Sequence, residues 1–193
     1  MNIGLDLDGV VYDTEEEYRV EACFYNQKIN GEEMIAPDEI KAYKRYNWTK
    51  EQEIEFMQSC LLDIEMNAPM KYKAKEVINL LKNDGHKINV VTSRGIVFPS
   101  EIEITEKRLQ KDNLPIDKTI FSGADKVKAC KENNIDIIVE DYYDYVLDLA
   151  NNGIKVLYFR GATLKTINHP NVTEVRNWGD IYIEIDKIAK ILQ

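Results

Sequence analysis

The 193-residue sequence predicts an α/β fold: a parallel sheet with helices on both faces and a small helical segment inserted after the first strand. Three observations carry this. Short, continuous apolar runs alternate with amphipathic stretches, the pattern of strands joined by helical crossovers. The strand runs carry no polar alternation, as expected of strands buried on both faces. The alternation is interrupted once, between residues 14 and 70, where the pattern is helical throughout.

The first run, Met1-Asn-Ile-Gly-Leu-Asp-Leu-Asp-Gly-Val-Val-Tyr-Asp13, passes from strand into two carboxylates and a glycine. Thr14-Glu-Glu-Glu17 reads as a capping box opening a helix that stops near Gly31. Thr49-Lys-Glu-Gln52 opens a second, with Ile54, Met57, Leu61 and Ile64 as its apolar stripe and Asn67-Ala-Pro69 as its end. A helix bearing Val77, Ile78 and Leu81 ends at Gly85, and Lys87–Thr92 is the next strand. Residues 119–121, 135–139 and 155–159 are further strands, separated by helices near 100–112, 125–133 and 142–151. A last helix is expected over 179–192. The expected organisation is a core of residues 1–13 and 71–193 with a helical cap at 14–70, rooted beside the sheet's carboxyl edge.

Composition narrows the function. With 44% hydrophobic residues the chain can bury a proper core, and no apolar stretch approaches the ~20 residues of a membrane span. The N-terminus lacks the basic start of a signal peptide, so the cytoplasm is the expected location and no membrane partner is expected. A net charge of -9 repels polyanions, which excludes long nucleic acid as a partner and leaves a small phosphorylated metabolite open. Cys23, Cys60 and Cys130 are odd in number, widely spaced and within helical patterns, as reduced packing residues are. His86 and His169 have no partner pattern and read as surface residues. Nothing in the pattern sets an oligomeric state.

The chemistry sits at strand ends. Asp6 and Asp8 share one side of the chain by the period-two rule, and Gly9 permits a tight turn and a close approach. An acidic turn is the plain alternative. An EF-hand fails on spacing, because Val10 and Val11 fall where that loop needs an oxygen ligand and a glycine. Thr92 and Ser93 close a strand and offer hydroxyls and amides to a phosphoryl oxygen; a simple capping role is the alternative. Lys126, with Lys128 as competitor, stands between a strand and a helix. Glu140 and Asp141 end a buried strand, with Asp144 one turn on. At ~4 Å and an effective dielectric near 20, each like-charge pair costs about 4 kcal/mol, so this many acids imply a bound cation. Oxygen-only ligands point to Mg²⁺. The aromatics Phe24, Tyr25, Tyr43, Tyr46 and Trp48 either stack on a base or pack the helical core, and packing is favoured.

In order, Asp6-x-Asp8-Gly-Val10, Thr92, Lys126 and Glu140-Asp141 resemble the four motifs of the haloacid dehalogenase superfamily of phosphatases. The resemblance implies a Rossmann-like sheet with an insertion between the first two motifs. It further implies Asp6 as a nucleophile forming an aspartyl-phosphate and Asp8 as general acid and base. Mg²⁺ would be held by Asp6, Asp141 and the Asp8 carbonyl, with Glu140 behind them, and Thr92, Ser93 and Lys126 would hold the phosphate. Dehalogenation is disfavoured, because those relatives lack the second acid that Asp8 supplies. Within the superfamily the Asp-Leu-Asp-Gly-Val opening, the modest helical cap and Arg176-Asn-Trp178 resemble the 5'(3')-deoxyribonucleotidase type. The expected activity is hydrolysis of (deoxy)nucleoside monophosphates. The alternatives are a phosphatase of another metabolite such as a sugar phosphate, and a phospho-acceptor or phosphometabolite-binding protein without turnover. Receiver domains share the acid, hydroxyl and lysine set, but the split first pair and the long insertion favour a hydrolase.

Overall fold

The computed structural model describes residues 1–161 and 165–191. Six parallel strands form one sheet in the order β3-β2-β1-β4-β5-β6. They are β1 (Asn2–Leu5), β2 (Lys87–Thr92), β3 (Lys118–Phe121), β4 (Ile137–Glu140), β5 (Lys155–Phe159) and β6 (Val172–Val175). The helices are α1 (Thr14–Lys28), α2 (Lys50–Asn67), α3 (Ala74–Asn83), α4 (Ser100–Asp112), α5 (Lys126–Glu132), α6 (Tyr143–Asn151) and α7 (Trp178–Ile191), with one 3₁₀ turn at Ala42–Lys44. The expected end of the last helix, residue 192, lies outside the described residues. No described helix is long and apolar enough to cross a membrane.

The double-faced burial expected of continuous apolar strands is present, and alternation sorts the side chains into two cores. Ile3, Leu5, Val90, Ile137, Val139 and Leu157 pack with the apolar faces of α3 and α7. Val91, Ile138, Val156 and Tyr158 pack with Ala129, Cys130, Val146 and Leu149 of α5 and α6. The strand order reverses at β1, which has β2 on one side and β4 on the other. In such sheets the crevice beyond the strands' carboxyl ends at that reversal is where ligands bind.

The chain leaves the sheet at Tyr12 and Asp13 and returns at Pro69–Lys71. Asp13 N donates to the Pro69 carbonyl (2.8 Å), and Lys71 N donates to the Val11 carbonyl (2.9 Å). Between these crossings lie α1, the 3₁₀ turn and α2, the small helical cap. The capping box at Thr49 forms as expected: Gln52 N donates to Thr49 Oγ1, and Thr49 N donates to Gln52 Oε1. The one at Thr14 does not. Asp13 occupies the cap position with no side-chain cap bond, and the Thr14 hydroxyl is spent on Asp8. The cap's aromatics mostly pack on one another. Trp48 stacks on Tyr46 (5.0 Å, 7°) and meets Tyr25 edge-on (4.9 Å), in a core continuous with the sheet's. Phe24 points outward at 62% exposure. Cys23 is also exposed, unlike the packed Cys60 and Cys130.

β6 is absent from the sequence expectation. Its segment Val-Thr-Glu-Val buries only Val175, so the edge strand lacks the continuous apolar run that marks the others.

Candidate active site

The ends of β1, β2 and β4 and the start of α5 converge on one cavity of about 240 Å³, roofed by the cap. Asp6 follows β1 directly, its N–H donating to the Val139 carbonyl (3.0 Å), so its side chain is fixed where the ladder with β4 ends. Glu140 and Asp141 follow on β4. Glu140 lies on the Ile138 face of the strand, the face covered by α5, and there it meets Lys126, the first residue of that helix. The Lys126 ammonium is buried and bridges two carboxylates, Asp6 Oδ1 (2.7 Å) and Glu140 Oε2. Lys128 is on the surface, beside Glu132. Of the two lysines the sequence left open, only Lys126 reaches the cavity.

Gly9 is required by its surroundings. Its φ of +75° lies in the left-handed region, and a Cβ there would sit 1.9 Å from Asp141 Oδ2. The tight turn expected at this glycine is present, and the close approach seen is to the Asp141 carboxylate, where the sequence pointed to a ligand. The turn it begins is pinned from beneath by Trp178, whose Nε1 donates to the Val10 carbonyl (3.1 Å).

One carboxylate oxygen each from Asp6, Glu140 and Asp141 lies within 4.8 Å of the others. Burial raises Asp6 to about 7; Lys126 opposes this, and Glu140 and Asp8 add to it. Burial, Glu140 and Asp6 push Asp141 well above the usual carboxylate range. Among the described residues no hydrogen bond reaches the Asp141 carboxylate. Three buried acids thus share a single ammonium, an arrangement that could hold a cation. Hard oxygen donors with no His or Cys among them fit Mg²⁺.

Asp8 has a different environment. Its carboxylate is gripped at both oxygens by Arg94, Nε to Oδ2 (2.9 Å) and Nη2 to Oδ1 (2.7 Å), and it takes a further hydrogen bond from Thr14. Burial alone would raise its pKa, but the guanidinium and the Thr14 hydroxyl hold it below the ordinary carboxylate range. The Asp8 side chain is outside the three-acid cluster. Of the two hydroxyls at the end of β2, Ser93 lines the cavity, and Thr92 is buried, its Oγ1 accepting from the Arg94 N–H (3.2 Å).

The walls add residues that the sequence reading passed over. Arg94, two residues beyond the end of β2, is one of them. Glu65 lies four residues beyond Leu61 on the α2 stripe, so an acid on an apolar face was the signal for it. Tyr18, Tyr43, Tyr142 and Tyr145 line the cavity with Lys41, whose ammonium stands 4.4 Å from the Tyr142 ring centroid. Tyr43 is one of the five aromatics weighed from sequence between base stacking and packing; Tyr25, Tyr46 and Trp48 pack in the core as favoured, and Phe24 is exposed.

No family model matches the chain. A Clostridium acetobutylicum protein named a nucleotidase is 26% identical over 190 residues, covering 97% of this chain and 95% of its own length. Bacillus subtilis YqfW, whose name gives the same activity provisionally, is 28% identical and covers 92% and 90%. Among solved structures, a haloacid dehalogenase-like hydrolase from Streptococcus pneumoniae superposes with a TM-score of 0.65 at 14% identity, over 95% of this chain and 97% of that one. The chain has the haloacid dehalogenase fold and is similar along nearly its whole length to proteins named as nucleotidases.

Proposed function

We propose that the protein is a Mg²⁺-dependent phosphomonoester hydrolase that works through an aspartyl-phosphate on Asp6, with (deoxy)nucleoside monophosphates as its substrate class. The observation that supports this most is the convergence of Asp6, Glu140, Asp141 and Lys126 on the floor of one cavity at the sheet's reversal point. The names of the sequence relatives supply the substrate class. The helical cap, bounded at residues 13/14 and 70/71, supplies the roof over the leaving group.

In this reading Asp6 attacks phosphorus, and a carboxylate nucleophile divides one hard displacement into two easier ones. Lys126 keeps Asp6 oriented and offsets charge on the transferring group, aided by Ser93 and the backbone amides after Thr92. Asp6, Asp141 and the Asp8 carbonyl would hold Mg²⁺, and Glu140 fixes Lys126 behind them. Bound there, the ion would supply positive charge to offset that of the phosphoryl group. Asp8 gives a proton to the leaving alkoxide and later takes one from the attacking water.

The test is phosphate release from 5'- and 3'-deoxynucleotides and sugar phosphates, with and without Mg²⁺. Multiple turnovers dependent on Mg²⁺, abolished in Asp6→Asn while that variant stays folded, are expected. Wild-type rates in Asp6→Asn would refute the nucleophile. One observation favours a second reading, a phospho-acceptor without turnover: the two-point grip of Arg94 on Asp8 keeps the proposed acid occupied. That reading expects one phosphoryl group per protein at most.

A further inference from the structure

The Asp8 carboxylate as it stands is engaged at both oxygens, and a group so held is badly placed to serve a leaving oxygen. To work, it must let go of Arg94. Arg94 is itself buried, its side chain 2% exposed, and a guanidinium left there without a carboxylate would bear the full cost of an unpaired buried charge. The structure holds a second carboxylate for it. Glu65, from α2 of the cap, has its Oε1 3.7 Å from Arg94 Nε. Its backbone carbonyl accepts from Arg94 Nη1 (3.4 Å), as does Thr105 Oγ1. Glu65 lines the cavity, and its Oε2 is buried and has no hydrogen-bond partner among the described residues. The other buried acid nearby, Glu101, is committed: its two oxygens accept the N–H groups of Gly95 and Phe98.

We propose that Glu65 is a positioning residue for Asp8. It is the alternative carboxylate onto which Arg94 turns when a phosphoryl group is engaged at Asp6, freeing the Asp8 side chain to face the leaving oxygen. The inference rests on the hydrolase reading and goes beyond it by tying Asp8 to a cap helix. The exchange needs a rotation of a guanidinium already within 4 Å of both acids and the passage of one proton: Glu65 gives up its own as Arg94 arrives, and Asp8, released from Arg94, takes one up for the leaving oxygen, so Arg94 keeps a counter-charge throughout. The open Oε2 of Glu65 is explained as the acceptor kept for that second state. An arginine suits this task because its fixed fork can leave one carboxylate and meet another with two parallel bonds.

The test combines a structure with kinetics. Wild-type protein crystallised with Mg²⁺ and trifluoroberyllate, which mimics a phosphorylated carboxylate, is expected to show Arg94 bonded to both Glu65 oxygens and Asp8 turned toward beryllium. Glu65→Gln keeps the shape but offers no charge. It is expected to lose roughly 100-fold in kcat on a 5'-deoxynucleotide, whose alkoxide leaving group needs a proton, at the low end of general acid–base contributions, with KM unchanged. Glu65→Asp is expected to restore part of kcat, and an unchanged melting temperature separates these effects from misfolding. Arg94 still on Asp8 in the trifluoroberyllate complex, or full kcat in Glu65→Gln, overturns the inference and leaves the hydrolase reading standing. Wild-type protein that neither turns over p-nitrophenyl phosphate nor binds trifluoroberyllate at Asp6 overturns the hydrolase reading and this inference with it.

Discussion

Asp6 and Asp8 are two residues apart and border the same cavity, yet their surroundings drive them in opposite directions. Asp6 shares one ammonium with Glu140 and lies close to Asp141, so negative charge is in excess and burial raises its pKa to about 7. Asp8 takes both charged bonds of one guanidinium, with Glu65 3.7 Å from the same group, and it is held ionised although burial alone would raise it. The difference lies in how each cation divides its bonds. A lysine split between two acids beside a third leaves a site that calls for another cation, whereas an arginine that gives its fork to one acid satisfies that acid in full. One short turn therefore carries a candidate metal ligand and a candidate proton carrier, distinguished by their partners and not by their own chemistry.

Removing each cation should expose that contrast most strongly. Lys126→Met leaves Asp6 and Glu140 buried and facing each other. Loss of one partner from a buried charge pair costs about 3–5 kcal/mol. The same change removes a donor aimed at the transferring group, so kcat is expected to fall by roughly 10²–10³. Arg94→Met should cost less, about 1–3 kcal/mol, because the Asp8 side chain is 35% exposed and can regain water. Mg²⁺ should recover stability in Lys126→Met and not in Arg94→Met. Denaturant melts with and without Mg²⁺ check both statements, and equal rescue would erase the distinction between the two sites.

A smaller effect comes from pH. Burial raises Asp6 to about 7 and Glu65 to about 8, and it also raises Asp141, so the folded metal-free protein keeps protons that the unfolded chain has lost above pH ~4. Stability falls wherever the native state binds the extra protons, so it should decline as pH rises from about 4 to 8. The depressed Asp8 contributes with the opposite sign, its stabilisation being lost only as pH falls through its lowered value, below ~4. The expected result is a metal-free melting temperature higher at pH 5 than at pH 8. Because protons compete for the same oxygens, the gain from Mg²⁺ should be larger at pH 8. A Mg²⁺ gain independent of pH would count against the carboxylate cluster as its site.

The sheet and most helices were legible because burial on both faces writes unbroken apolar runs, and crossover helices write their own stripe. β6 escaped, since an edge strand with one buried residue leaves little trace. Within the site, Asp6, Ser93, Glu140 and Asp141 were visible as polar residues placed where strands end, and Lys126 as a lysine between a strand and a helix. The partnership of Arg94 with Asp8 was not, because it joins residues 86 apart through a geometry that no local pattern encodes. Thr14 shows the same limit from another side. Its sequence fits a capping box, but the half-buried Asp8 carboxylate nearby took the hydroxyl instead.

The smallest expected effect tests the same contrast one helix away. Lys126 and Lys128 are two residues apart on α5, and two helical steps of 100° place them on nearly opposite sides of the helix. Lys126 faces the sheet and is buried against two acids, whereas Lys128 is 67% exposed and stands 3.9 Å from an equally exposed Glu132. An exposed pair at that distance gains little in water and must order two long side chains to form. Lys128→Ala is therefore expected to leave kcat and KM unchanged and to move the melting temperature by no more than about 2 °C. A loss of activity in Lys128→Ala comparable to that in Lys126→Met would mean that the helix turns its other side to the phosphate, and the charge count at Asp6 would have to be redrawn.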